Sequence, residues 1–465
     1  MPSGRRIIYE IVTTSPRSTM GQAKTEIDAA SESRTRGRVV RGLRWRICVL
    51  LFASTMINYM DRQSLAALAP FLMIRFQWRN QDFAWVLIAF RVAYAFGQTI
   101  MGCLIDRVGT RKGLTISVAW YSTVAALTSL ATGLRSLCVF RFLLGFGESA
   151  NWPAAGKAVA EWFPTRERGW AVAMFDSGSS VGGALVPFIV VWLYGKFGSW
   201  RLVFAVTGML GFVWLALWRL LYYRPEIHPR ISKEERDMIL RDKEESDRVG
   251  NGNLHSPSLR ELLRLPRTWG IVLGRFFMDP VFFFIMEWFA IVLVAKGIRV
   301  ETSVLAFWVP FVACDLGNFA GAGMSSWLIR RGWPAVRSRN TVLTLSGLAM
   351  LALIPAIYVS NLFLLTMLFG VSAFSYAAWQ TMNLVLHTDL YPSSAVATVS
   401  GISGTASGIG TAIVTYLIGY VSDRYSFGPI LIGAGILPLI ATALTLLLVR
   451  GGKVNRGGLV REAGL

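Results

Sequence analysis

The stretch INYMDRQSLAALAP, Ile57 to Pro70, sets Asp61 and Arg62 side by side near the middle of an apolar run from about Trp45 to Met73. A charge at the centre of a membrane span costs at least ~2.5–3.5 kcal/mol on insertion scales. Two adjacent charges, with Asn58 and Tyr59 on the preceding turn, are hard to read as lipid-facing filler. They form either a neutralised ion pair that fixes helix packing or a functional site. Intramembrane charge favours the second reading.

Apolar segments of spanning length recur along the whole 465-residue chain, and only 16% of residues are charged. A soluble domain carries roughly 25%. The chain therefore reads as an all-α polytopic membrane protein. Hydropathy divides it into twelve transmembrane helices, six near 45–73, 82–105, 113–132, 136–160, 168–196 and 200–222, and six near 268–295, 302–329, 339–359, 361–388, 395–422 and 427–449. Residues 45–222 and 268–450 then form two six-helix bundles, joined by a polar linker over 223–267. The linker's charged stretch ISKEERDMILRDKEESDR suggests a short amphipathic helix. Residues 1–44 read as a disordered polar tail, with Met20 an alternative start, and 451–465 as a C-terminal tail.

The formal net charge of +20 does not indicate nucleic acid, because Lys and Arg concentrate in alternate connections: 2–3, 4–5, 8–9 and the C-terminal tail. By the positive-inside rule these are cytoplasmic, so both termini and the linker are expected there, in a multi-pass protein of the inner membrane. Cys48, Cys103, Cys138 and Cys314 lie singly in four predicted helices without metal or redox spacing, and no cofactor is expected.

The halves echo each other. EWFPTRERGWAVAM followed by DSGSSVGG, at the junction of spans 4 and 5, corresponds to DLYPSSAVATVSGISG followed by TASGIG at spans 10 and 11. Pro164 matches Pro392, and Gly182 matches Gly410. Parallel six-helix repeats imply two bundles rocking about a site at the membrane midplane, which suits a transporter rather than an enzyme or channel. In span 4, Arg141 and Glu148 are seven residues apart, about two turns, and so share a face. With Asp61 and Arg62 they make an arrangement suited to proton relay, because a buried carboxyl near cations can change its protonation state as a cavity opens and closes. His228, His255 and His387 lie in a loop or near a helix end and are poor relay candidates. Gly401, Gly404 and Gly408 read as close helix contacts.

GCLIDRVGTRKG, Gly102 to Gly113, resembles the loop motif of the major facilitator superfamily, and the resemblance implies that fold. It makes Asp106, Arg107 and Arg111 a cytoplasmic latch between bundles, with Asp106 facing a helix N-terminus of the other bundle, where the dipole favours an anion. The second-half counterpart LIRRGWPAVRSR lacks the Asp, so a one-sided latch is expected. INYMDR, the Arg141–Glu148 spacing and WFPTRERG are together similar to the anion:cation symporter branch. GRFFMDPV, FDSGSSVGGALVPFIVVW, WRLLYYRPEIHPRIS and WVPFVACDLGNFAGAGMSSWLIRRGW point to its hexuronate-transporter subgroup. Such proteins import a sugar-acid anion with protons, as monomers in the lipid bilayer.

Carried over, the resemblance makes Asp61 and Glu148 protonation sites, Arg141 the group that tunes Glu148, and Arg62 the cation for the substrate carboxylate. Tyr59, Tyr94 and Gln98 would line the cavity. Trp379 and Asn383 would stack on a sugar ring and bond a hydroxyl. Exchange or uniport without protons, and a non-transporting sensor with the same cavity, are the competing functions. The chain departs from the family in FSYAAW in span 10, in Arg91 and in Glu287. These two charges lie ~13 and ~12 Å from the outer ends of spans 2 and 7 at 1.5 Å per residue. At matching depth, they are expected to pair and close an outer gate.

Overall fold

The computed structural model describes residues 40–78, 80–249, 257–298 and 308–449. In chain order the helices are α1 Leu43–Phe76, α2 Asn80–Val108, α3 Thr110–Thr128, α4 Leu134–Glu148, α5 Asn151–Trp162, α6 Arg168–Phe197 and α7 Trp200–Leu221. The linker carries α8 Lys233–Val249 and α9 Leu259–Arg264. The second half holds α10 Pro266–Ala295, α11 Trp308–Arg330, α12 Ala335–Ala349, α13 Leu362–Leu390, α14 Val396–Arg424 and α15 Gly428–Leu448. Eight of these helices are long and apolar enough by themselves to cross a bilayer. The helix carrying Asp61 and Arg62, together with α3, the α4–α5 pair and α11, brings the spans to twelve, in two six-helix bundles.

Proline explains two departures from simple spans. The fourth span breaks between Glu148 and Asn151 rather than running continuously. Pro153 lacks an N–H and its ring crowds the Ser149 carbonyl, which no α-helix interior tolerates cheaply. The break leaves Glu148 as the last residue of α4. The ninth span ends in 3-10 turns, Met350–Leu353 and Pro355–Ile357, because Pro355 cannot continue the α-helix.

The bundles are built alike. Within the first, α1 packs along α6; within the second, α10 packs along α14. Gly182 lies against the Met56 carbonyl and Gly410 against the Phe276 carbonyl, so the matched glycines make matched crossings. A Cβ at either would collide with backbone.

The linker is more ordered than a short helix with a tether. Its α8 is clamped to the first bundle through Glu235, which accepts the Leu43 and Arg44 N–H groups (3.1 and 3.2 Å) and the Arg44 guanidinium (2.7 Å). A carboxylate on the free N–H groups of α1 satisfies donors that the helix cannot. Asp242 likewise accepts the Thr165 N–H at 2.9 Å. The expected tail boundary shifts: Val40 already bridges to Ile231, and α1 starts at Leu43. The remaining tail residues, 1–39 and 450–465, lie outside the described residues.

Candidate functional site: a buried charge cluster at the bundle interface

Arg62 lies partway along α1, with 23% of its side chain exposed and its Nε buried. Its Nη2 donates to Glu148 Oε2 and to Asn58 Oδ1, both at 3.3 Å. The guanidinium carbon is 4.8 Å from the Tyr59 ring, 4.9 Å from Phe90 and 4.5 Å from Tyr94. An aromatic cage of this kind holds a weakly hydrated planar cation without quenching its remaining donors. Tyr59 and Tyr94 are therefore at the cation.

Adjacent helical residues project about 100° apart, so Asp61 points away from Arg62 into the bundle interior, where it is 1% exposed. Neither of its carboxylate oxygens has a hydrogen-bond partner among the described residues. Arg141, also fully buried, donates from Nη1 to the Asp61 backbone carbonyl at 3.4 Å and lies 5.6 Å from the Phe204 ring. The direct cationic partner of Glu148 is Arg62, whereas the hydrogen bond of Arg141 runs to the Asp61 carbonyl and its charge acts on Glu148 without a bond. Glu148 itself is fully buried, and its Oε1 has no described partner.

The facing wall contains a charge pair that sequence reasoning did not single out. On α10, Arg275 Nε and Nη2 reach Asp279 Oδ2 at 3.0 and 2.9 Å, one helical turn on. Tyr376 donates to Asp279 Oδ1 at 3.1 Å and Ser407 to Oδ2 at 2.5 Å, tying α10, α13 and α14 together. The signal was present in GRFFMDPV, where the i, i+4 spacing sets Arg and Asp on one face. Two further carboxylates cross the interface. Asp176 of α6 accepts from Asn318 of α11 at 2.9 Å, and Asp315 of α11 accepts from Ser180 of α6 at 2.9 Å.

Three residues expected at the cavity are elsewhere. Trp379 is fully buried inside the second bundle, its indole N–H donated to Thr442 at 3.0 Å and its ring beside Gly274. Asn383, one turn on, is buried against the same glycine. A sugar has no ring face to stack on there. The interface aromatic is Tyr376, one turn earlier and stacked on Phe282 at 4.6 Å. Gln98 is wedged against Gly401 and Gly404 of α14, where the missing side chains make room for it, so it packs the bundles together.

On the face that carries the linker, two joins tie the bundles together. Asp106 accepts the Thr398 N–H at the start of α14 (2.7 Å) and the Lys157 ammonium (2.8 Å). The second join corrects the one-sided latch: Asp389, at the end of α13, binds Arg168 of the first bundle (3.0 Å) and Arg339 of its own (3.2 Å). Arg339 also donates to the Thr165 carbonyl at 2.8 Å. The carboxylate missing from LIRRGWPAVRSR is supplied three residues before Pro392, just as Glu161 stands three before Pro164. Arg107 is exposed, and Arg111 holds the Arg219 carbonyl (2.6 Å) and the Tyr223 ring (4.0 Å), so neither makes the expected link. Further in, Thr405 donates to the Ala95 carbonyl about midway along α2. Toward the opposite face, Arg91 lies 6.0 Å from the Phe283 ring of α10. The side chain of Glu287 lies outside the described residues, and so does the pair expected there.

Two parallel six-helix bundles around an interfacial charge site define the fold class, and a family model for the Major Facilitator Superfamily matches residues 51–415. The chain belongs to that family. It is similar to the hexuronate transporter of Escherichia coli (strain K12), 29% identical over 396 residues that cover 84% of this chain and 91% of the relative. The galacturonate transporter of Dickeya chrysanthemi is 33% identical over 315 residues, covering 67% and 90%. Among solved structures, a proton:xylose symporter superposes with a TM-score of 0.66 at 16% identity, covering 88% of this chain and 96% of that one. The E. coli fucose:proton symporter gives 0.64 at 17% identity, covering 88% and 99%. At these identities the structures speak for the fold alone.

Proposed function

We propose that this protein is a secondary transporter, not an enzyme, that imports a sugar-acid anion with protons by alternating access. The observation that carries the reading is Arg62: a caged, partly exposed side chain whose counter-ion Glu148 is buried and holds it by one 3.3 Å contact. A substrate carboxylate offers Arg62 the bidentate partner that Glu148 does not. Glu148, displaced, takes a proton in exchange, and Asp61, with no bonded donor, is the second carrier. The transporter relatives support the substrate class. Arg275 is already committed to Asp279 and Arg141 is fully buried, so among the charged groups described at this interface Arg62 is the guanidinium offered to a carboxylate, and an acid with a single carboxylate, a uronate rather than a dicarboxylic sugar acid, fits best.

In this reading the linker face is cytoplasmic, in keeping with its basic loops, and the present conformation is closed on that side. The Asp106 and Asp389 joins act as the latch that breaks for release. The test is uptake of labelled galacturonate by proteoliposomes containing the purified protein. An inward-acid gradient should raise accumulation several-fold and a protonophore should abolish the gain. Uptake indifferent to the gradient would replace symport with uniport or exchange.

A further inference from the structure

Behind Arg62, the first bundle encloses polar atoms with nothing to bond. Both Asp61 oxygens, Glu148 Oε1, Arg141 Nε and Nη2, and the Tyr121 hydroxyl are buried without a hydrogen-bond partner among the described residues. Buried polar groups in folded proteins are nearly always satisfied, by protein or by ordered water. Six such atoms on neighbouring helices of one bundle therefore indicate water among them. Tyr121 is the one of the six that is neither a carboxylate nor a guanidinium; the neighbouring Ser122 Oγ and Asn58 Nδ2 are also buried without a described partner.

Its position is fixed by packing. One turn earlier on α3, Ser117 donates to the Gly147 carbonyl at 2.8 Å, pinning α3 to the last turn of α4 beside Glu148. A Cβ at Gly147 would lie 3.1 Å from the Tyr121 Cβ, so the absence of that side chain admits the tyrosine. The ring is fully buried, and Asp61 on α1 and Glu148 on α4 are the carboxylates that act on it electrostatically. Arg62 and Arg141 flank those two carboxylates; Thr207 of α7 is near Asp61 but donates to the Phe204 carbonyl at 3.4 Å, and Ser54 of α1 is near Tyr121 but donates to Asn151 at 2.7 Å.

We infer that Tyr121, with water in this chamber, relays the proton between Asp61 and Glu148. The O–H bond of an Asp61 carboxyl breaks and its proton bonds to the relay oxygen. That oxygen's own proton bonds to Glu148, and the reverse sequence resets it. One charge moves and nothing is oxidised or reduced. A hydroxyl suits the task because it donates and accepts at once. Arg141 and Arg62, donors only, cannot pass a proton on and instead keep the two carboxylates apart. The inference rests on the proton-coupled reading above, and adds to it a residue on a helix that supplies neither carboxylate.

The experiment replaces Tyr121→Phe, which keeps the ring and removes the relay oxygen. In proteoliposomes, gradient-driven galacturonate uptake should fall at least tenfold while counterflow exchange of galacturonate stays within twofold of the parent. Gradient-driven uptake within twofold of the parent would overturn the relay. Loss of counterflow as well would show Tyr121 to be a packing residue and overturn it too. A measurement on the unaltered protein stands beside it: hydroxyl-radical footprinting should oxidise Tyr121 through the chamber water. Tyr222, equally buried but bonded to Glu161 at 2.6 Å, should be spared. Protection of Tyr121 equal to that of Tyr222 would remove the water and with it the relay. If Asp61→Asn and Glu148→Gln both accumulate substrate normally, the failure lies in the proton-coupled reading itself rather than in Tyr121.

Discussion

The two bundles each bury an arginine and a carboxylate at the interface, and they treat them in opposite ways. Asp279 is held by four donors, two from Arg275 and one each from Tyr376 and Ser407. Asp61 has none, and Glu148 has one. A carboxylate held by four donors is scaffold, because moving it breaks several charge-assisted bonds at once. A carboxylate with free oxygens can exchange partners at little cost. The repeated fold thus supplies two comparable sites, one set as a rigid wall and the other left able to change.

The most severe test of that contrast is to neutralise the changeable side. Asp61→Asn and Glu148→Gln should each reduce gradient-driven accumulation in proteoliposomes to background. At least one should keep substrate exchange, since a neutral isostere mimics the substrate-competent state.

The rigid side should respond in stability instead. Asp279→Ala leaves Arg275 buried without its counter-ion and should cost about 3–5 kcal/mol, the usual penalty for halving a buried pair. Asp61→Asn, which removes no described side-chain bond, should change the thermal unfolding temperature of the detergent-purified protein far less. Equal destabilisation by the two variants would erase the distinction.

A third variant probes the cation. Arg62→Lys retains charge but not the planar fork, and should weaken galacturonate binding about tenfold or more by calorimetry. Near-normal affinity would make Arg62 a structural counter-ion of Glu148. The smallest effect is expected at the latch. Asp389→Asn weakens the shared grip on Arg168 and Arg339 and should shift the bundles toward opening at the linker face by ~1–3 kcal/mol, the usual size of such couplings. The readout is a rise in thiol labelling of a cysteine placed at Ser326, whose hydroxyl now holds the Arg166 carbonyl.

The fold was legible because its signals are local and repeated: spanning runs, basic loops in alternation, and the Pro164 and Pro392 junctions. The first-bundle charges were legible for a related reason, since an ionisable residue inside an apolar run stands out. What escaped was partner choice. Nothing along the chain says that Glu148 bonds to Arg62 rather than to Arg141, because that depends on the break that Pro153 places after Glu148. The i, i+4 rule placed Trp379 and Asn383 on one face but could not say which way that face turns, and it turns inward toward Gly274. The second latch was missed because its carboxylate moved from the end of α11 to the end of α13, a substitution visible only once both ends meet.

The central claim is that sugar acid and proton share the Arg62–Glu148 pair, and proton movement tests it most directly. Proteoliposomes in lightly buffered medium with no imposed gradient are given galacturonate while external pH is recorded. The account predicts a substrate-dependent alkalinisation with the unaltered protein that vanishes with Glu148→Gln. Galacturonate entry at full rate with no change in external pH would contradict it.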